Sequence, residues 1–515
     1  MDFIANYVLL FPLCLITKGV IMLKQATAAA IAALCLWTVA ASTNVNFVLT
    51  AEGTSNLLTP QPPLHFAKSR VEGEAENSEN KSMLSVNRSE TFQEIEGFGG
   101  AFTDSASHVF STLTPDLQEQ LLDMYFGEAG LRYNMGRLTI GSCDFSMEYY
   151  NYDDEKGDVN LTHFNISHDE AKIIPFILRA MKKANRTMKF VASPWSAPAW
   201  MKKNNHMNCD LGPWTCVLKD DAAIKTAWAN YFAKYIDGYK SHGVDVWGIT
   251  IQNEPEAMTG NIVYEGMHYT PQTEKSFLKS YLGPVMKSKH PDVNILIYDH
   301  NKDHIVEWAN EILSDPETAQ YVWGTAFHWY TGPFFENLAK VHSQFPQHKL
   351  LSTESTVAKQ NTGTYDKPEW HKGEHYGREI IGDLNNWSTG FIDWNLLLDK
   401  YGAPSHADPT GGLCEKLIKC GSDSMVIFQD GKLYPQVFYY YMGHVSKFVP
   451  AGSVRVGLGN SNSAVLSTAF KTPEGKIAVV AMNQWDGPAE LTLRDSELGE
   501  TSTVLPPHSI ATFTY

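Results

Sequence analysis

Positive charge is scarce in this sequence. Its 515 residues include 41 Lys and Arg against 57 Asp and Glu, a formal net charge of −16. Nucleic-acid phosphates attract a basic face, so that balance argues against a nucleic-acid partner. A neutral or weakly polar substrate is easier to accommodate. Charged residues make up only 19% of the chain and hydrophobic ones 43%, which excludes a disordered protein. A chain of this length can bury a large core and is expected to form more than one domain. No apolar run reaches the roughly 18 residues that a membrane span requires. The stretches "YVLLFPLCLIT" and "ATAAAIAALCLWTVAAS" are separated by Lys18 and Lys24. No internal repeat or low-complexity segment is evident.

From Met22 onward, Lys24, an apolar run and then Ala40, Ala41 and Ser42 follow the layout of a cleaved secretory signal. Residues 1–42 are therefore expected to be a signal peptide or a retained signal anchor, and residues 43–65 a linker. A secretory route sends the protein to a lysosomal or vacuolar lumen or outside the cell. It also changes how cysteines read. The close pairs Cys209 with Cys216 and Cys414 with Cys420 would each pin a loop in an oxidising compartment, leaving Cys143 as a buried thiol. Sequons at Asn80, Asn87, Asn160, Asn165, Asn185 and Asn386 suit a glycosylated protein on that route.

Short strand-like runs alternate with helical patterns beyond residue 66. Thr114 and Pro115 open a helix over "DLQEQLLDMYF", "SHDE" from Ser167 reads as a capping box, and Gly243 ends a third helix. Eight strand-like runs, among them "YNMGRLTI", "VWGITIQNEP" and "KLLSTES", predict parallel βα units closed into a (β/α)₈ barrel over residues 96–432. The tail, 433–515, shows short strands broken by Gly, Pro, Asn and Asp, as in an antiparallel β-sandwich. Residues 66–95 are expected to lend it N-terminal strands. The fold class is thus α/β: a TIM barrel with an attached sandwich built from both chain ends.

Barrel strands present catalytic groups at their C-terminal ends. "VWGITIQNEP" ends in Asn253 and Glu254, and "KLLSTES" ends in Glu354. Two such carboxyls suffice for glycoside hydrolysis. One protonates the leaving oxygen, and in the retaining route the other attacks the anomeric carbon. Their mutual repulsion is expected to raise one pKa and keep the acid protonated. Asn253 is placed to donate to a sugar 2-OH. A single Glu near a strand end is usually a surface or salt-bridged residue; two at related ends, one within Asn-Glu-Pro, favour chemistry.

The stretches "GFGGAFTDSA", "YNMGRLTIGSCDFS", "ASPWSAPAWMK", "QNEP", "FHWY", "STES", "DWNLLLD" and "YYYMGHVSKFVPAGSVRVG" together resemble glycosyl hydrolase family 30, in its glucosylceramidase branch. The resemblance runs from about Phe92 to the C-terminus. It implies that Glu254 is the acid/base and Glu354 the nucleophile. It also implies that Arg137 holds the nucleophile ionised through a bidentate guanidinium, and that Asp144, Trp195 and Asn253 bind the sugar. His328 and Tyr330 would sit beside the nucleophile, and Trp394 would close the pocket. The implied substrate is a glucosylated lipid or a β-glucan, with peripheral contact to membrane lipid and no cofactor or metal.

Departures fall where the aglycone is chosen. There is no Cys between 36 and 142, where animal members carry a cysteine-rich segment, and the mouth loops "NNHMNCDLGPWTC" and "KYGAPSHADPTGGLC" differ from the usual pattern. The resemblance nonetheless implies a secreted or lysosomal retaining β-glucosidase that hydrolyses glucosylceramide, with an endo-β-1,6-glucanase as the alternative and a carbohydrate-binding protein without turnover as a second, against which the intact Glu254, Glu354, Arg137 and Asn253 speak. Two other motifs read as structural. "HKGEH", His371 to His375, fits a zinc-protease pattern, but Gly373 and Pro368 weaken the helix it needs. "GFGGAF" lacks the third Gly of a nucleotide loop and is expected to be a tight barrel-strand segment.

Overall fold

The computed structural model describes residues 44–68, 80–209, 212–256, 264–357, 369–407 and 422–515. The expected signal segment and the Cys414–Cys420 pair lie outside them. Among the described residues, no helix is long and apolar enough to cross a membrane.

Eight strands close a parallel barrel: β1 (Gly97–Ala101), β2 (Met135–Ile140), β3 (Lys189–Pro194), β4 (Val246–Thr250), β5 (Asn294–Asn301), β6 (Val322–His328), β7 (Lys349–Glu354) and β8 (Ser388–Asn395). The order runs in sequence and β8 returns to pair with β1, Phe391 opposite Phe98. Each strand is buried on both faces, which is why it reads as a nearly continuous apolar run. Met135, Val191, Leu296, Ala326, Leu351 and Ile392 fill one interior layer. The larger cluster, which includes Phe102, Phe190, Trp228 and Trp308, lies between strands and helices. Gly99 allows β1 to approach β2 closely, since a Cβ there would stand 2.1 Å from the Met135 carbonyl oxygen. "GFGGAF" is accordingly a barrel strand.

Local signals account for some of the helices. Thr114 accepts a hydrogen bond from Leu117 N at the start of helix Pro115–Phe126, and Asp221 caps helix Ala222–Ser241, which Gly243 follows at φ +81°. The expected cap at Ser167 does not form. Ser167 is the first residue of the short helix Ser167–Ala171, and Ser167 N donates instead to the Asn165 side chain. Gly373 does not prevent helix Trp370–Asn385, because its missing Cβ makes room for the Tyr441 ring. In that helix Glu374 pairs with His508, and His375 lies against Trp329.

A nine-stranded sheet, built from both chain ends, stands beside the barrel. Its order is Gly499–Leu505, Ala489–Asp495, Lys81–Glu94, Val454–Asn460, Val465–Lys471, Ile477–Asn483, Ser509–Thr514, Asn44–Ala51 and Thr59–His65. The sheet curls until its ends meet at a bridge between Ala67 and Glu500, enclosing an apolar core with Phe47, Leu84, Val479 and Phe513.

Two boundary expectations change. Residues 43–65 are not a linker, since Asn44–Ala51 pairs with Ser509–Thr514 and Thr59–His65 forms the sheet edge. An edge tolerates Pro60, Pro62 and Pro63, which cannot donate to a ladder. The sandwich also does not begin at 433: strand Lys432–Pro435 pairs with Val426–Gln429 in a separate three-stranded sheet, and a helix follows. Helix Val437–Ser446 packs on Trp370–Asn385 and is buried nearly all round. Such a helix has no polar face and so shows no 3.6-residue period.

Cys209 and Cys216 are disulfide-bonded, and Cys143 is a buried free thiol. Five of the sequon asparagines are exposed; Asn386 is half-buried and donates its Nδ2 to Gly382 O at 2.8 Å.

Candidate active site

The carboxyl ends of the strands converge on Arg137, which rises from β2 and is wholly buried. A buried guanidinium is tolerable only when its donors are met. Nη1 donates to Glu354 Oε2 at 2.6 Å, while Nη2 donates to Asn253 Oδ1 and Asp299 Oδ2, both at 2.8 Å. The expected bidentate grip on Glu354 is therefore absent. The fork is shared among three strand ends because Asp299, buried beside it, takes one arm.

Glu354 ends β7. Its other oxygen, Oε1, accepts from the Tyr330 hydroxyl at 2.8 Å. Burial and the charge of Glu254 push its pKa up, while His328 and Arg137 oppose them.

Glu254 follows β4 at φ +45°, a left-handed backbone that a glutamate seldom adopts. Glu254 N donates to Asp299 O at 3.0 Å, and Tyr298 and Asp299 also have positive φ. Three such residues mark a place where packing overrides local preference. The Glu254 side chain is 15% exposed, and its Oε1 lies 3.0 Å from His328 Nδ1.

His328 was expected beside Glu354. It does pair with Glu354 through the backbone of β6 and β7, but its ring turns to Glu254 and Asp299. Burial opposes the imidazolium, yet Glu354, Asp299 and Glu254 raise its pKa to about 9. Glu254 in turn is held low: burial works against its charge, but His300 and His328 outweigh it. The expected order of the two carboxyls is thus reversed in the free protein, because both imidazoles flank Glu254. His328 Nδ1 lies within one hydrogen bond of Glu254 Oε1.

Above this hub lies an aromatic wall. Trp195 and Trp394 stack at 5.2 Å, and both face the Arg137 guanidinium, at 5.1 and 5.5 Å. Phe145 and Cys143 join the same cluster. Asp144 stands next to it, its pKa pushed well up by burial and by the charges of Glu354, Glu265 and Glu254. An un-ionised carboxyl there can donate a hydrogen bond as well as accept one.

All nine residues singled out in the sequence lie at this end of the barrel. Asp299 and His300 were missed. Asp299 accepts from Arg137, Thr250 and Thr353 and contacts His328. Its signal was present, since "NILIYDH" ends an apolar run in a charged residue as "VWGITIQNEP" does. His406 was also missed. It comes from a mouth loop and pairs with the buried Glu265 at 3.1 Å.

A parallel barrel with paired glutamates at its strand ends, backed by an arginine and walled by tryptophans, has the architecture of a glycoside hydrolase. The chain belongs to glycosyl hydrolase family 30. The family's TIM-barrel domain matches residues 95–449 and its beta sandwich domain residues 452–513. Lysosomal acid glucosylceramidase of Mus musculus is 35% identical over 441 residues, 84% of this chain and 83% of the mouse protein. Endo-1,6-beta-D-glucanase BGN16.3 of Trichoderma harzianum is 30% identical over 82% of this chain and 84% of its own length. The solved structure of SrfJ from Salmonella typhimurium superposes with a TM-score of 0.82 at 28% identity, covering 92% of this chain and 99% of that one.

Proposed function

We propose that the protein is a retaining β-glucosidase that hydrolyses glucosylceramide to glucose and ceramide. The observation that carries the mechanism is the pair of donors on Glu354. Arg137 and Tyr330 both hydrogen-bond its carboxyl, which favours the ionised form that a nucleophile requires. Glu254 is the acid/base. Substrate entering the pocket strips the remaining water from Glu254, burial then disfavours its charge, and the proton on His328 passes to it across 3.0 Å.

Glu354 attacks the anomeric carbon as the glycosidic oxygen leaves with the proton from Glu254. A glycosyl-enzyme and free aglycone result. Water then attacks the same carbon, gives a proton to Glu254 and releases glucose, restoring the Glu354 carboxylate. Asn253 has its Oδ1 engaged by Arg137, so its amide nitrogen is left to donate to the sugar 2-OH. Asp144 and Trp195 bind the other hydroxyls, and Trp394 closes the pocket.

The mouse relative's name supports ceramide as the aglycone, and together with the Cys209–Cys216 disulfide it supports a lysosomal or secreted location. Trp214, 75% exposed inside the disulfide-closed loop, supports peripheral contact with membrane lipid. The Trichoderma relative favours a second reading, an endo-β-1,6-glucanase. Rates measured on glucosylceramide, β-1,6-glucan, β-xylan and p-nitrophenyl β-glucoside separate them. The highest kcat/KM is expected on glucosylceramide, and a higher value on β-1,6-glucan would replace the first reading with the second.

A further inference from the structure

His300 has no part in the mechanism above, although it ends β5 beside the acid/base. Its Nδ1 is buried, has no hydrogen-bond partner among the described residues, and points to Glu254 Oε1 from 3.7 Å. A buried ring nitrogen that makes no hydrogen bond is costly and calls for an explanation. His328 Nδ1 approaches the same oxygen, at 3.0 Å. The three donor atoms, one from each residue, lie within 4.8 Å of one another.

We propose that Glu254, His300 and His328 form a binding site for Zn²⁺, and that the bound ion inhibits hydrolysis. Zn²⁺ binds imidazole nitrogen and carboxylate oxygen at about 2.0–2.2 Å, so tetrahedral ligands stand roughly 3.3–3.5 Å apart. Glu254 Oε1 already holds distances of 3.0 and 3.7 Å to the two nitrogens, which bracket that spacing. Two histidines and a glutamate leave a fourth position open to water. The surrounding contacts also suit a metal. Asp299 Oδ1 lies 3.1 Å from His328 Nε2, the carboxylate contact that orients a ligating imidazole and fixes its tautomer. Glu254 is partly exposed to the pocket, so an ion can reach it from solvent.

The reaction itself uses no metal in this scheme, and the ion acts as an inhibitor. Coordination occupies the Glu254 oxygen that takes the proton from His328, so neither residue can deliver it. Only this consequence rests on Glu254 being the acid/base; the site does not.

Calorimetric titration of Zn²⁺ into the whole chain, in a buffer that does not bind metal, tests the site. One site per chain is expected to stand out from weaker surface binding. His300→Gln should weaken it about tenfold or more, while His300→Cys, which supplies a zinc-binding thiolate, should keep it. Circular dichroism melts establish that each variant is folded. If His300→Gln does not fold, His300→Cys and Glu254→Gln carry the comparison, with retention expected in the first and loss in the second. Unchanged affinity in a folded His300→Gln, or loss of the site in a folded His300→Cys, overturns the proposal. Hydrolysis of p-nitrophenyl β-glucoside should fall as the site fills. Zinc bound there without loss of hydrolysis leaves the site standing and overturns the acid/base role of Glu254.

Discussion

Arg137 Nη1 stands 2.6 Å from Glu354 Oε2, in a contact where the arginine is fully buried and the glutamate nearly so. The same guanidinium also binds Asp299 and Asn253. One cation therefore sets the positions of groups from three other strand ends.

Arg137→Lys keeps the charge but cannot span these three partners. Misplacing Glu354 by an ångström is expected to lower kcat/KM roughly 100-fold. With less support for the carboxylate, the pKa of Glu354 rises, so the acidic limb of the kcat/KM profile should move to higher pH. Arg137→Met leaves buried carboxylates unpaired and should cost about 3–5 kcal/mol of stability, read from chemical denaturation.

The two glutamates should fail differently. Glu354→Gln is expected to slow glycosylation for every substrate, whatever its leaving group. Glu254→Gln should nearly spare glycosylation by a dinitrophenyl glucoside, whose leaving group needs no proton, and slow p-nitrophenyl or ceramide release about 10²- to 10⁴-fold. Azide should restore turnover in Glu254→Ala and yield a β-glucosyl azide. Mass spectrometry after a 2-fluoroglucoside should place the label on the peptide carrying Glu354; a label on Glu254 would exchange the roles.

Glu274 ties the backbone of the site to pH. It is buried, accepts from Tyr298 N at 3.0 Å, and has its pKa pushed up to about 8 by burial. Its ordinary value is 4.5, so between about pH 4.5 and 8 the folded state holds a proton that the unfolded state has lost. Stability from this group is full below that window and is lost as pH rises through it. Thermal unfolding should therefore show Tm falling from pH 5 to pH 8, and Glu274→Gln should flatten that slope. A wild-type slope unchanged by the substitution would remove Glu274 as its source.

Non-reducing peptide mapping should recover the Cys209–Cys216 link, with Cys143 modified by iodoacetamide only after denaturation. Burial and nearby carboxylates push the Cys143 thiol well up, so little thiolate is present to react. The same map tests the expected Cys414–Cys420 link.

Much of the architecture was legible in the chain. The eight barrel strands stand out because each is buried on both faces, so its apolar character is continuous and local. Glu254 and Glu354 stand out because a charged residue ends such a run. Strand Asn44–Ala51 was missed although "NVNFVLTA" alternates in burial, and helix Val437–Ser446 was hidden because its burial leaves no polar face.

The sequence by itself determined the fold class, the two glutamates at the strand ends and the residues around them, since each is written within a few neighbouring positions. Only the tertiary structure decided how their charges are shared. Arg137 could have held Glu354 with both arms, but Asp299, more than 160 positions away in the chain, takes one of them. Repulsion between the glutamates was expected to raise the pKa of the acid, but His300 and His328 close around Glu254 and hold its pKa low. A pKa depends on every charge within a few ångströms, and barrel closure brings those charges together from strands that no local pattern connects.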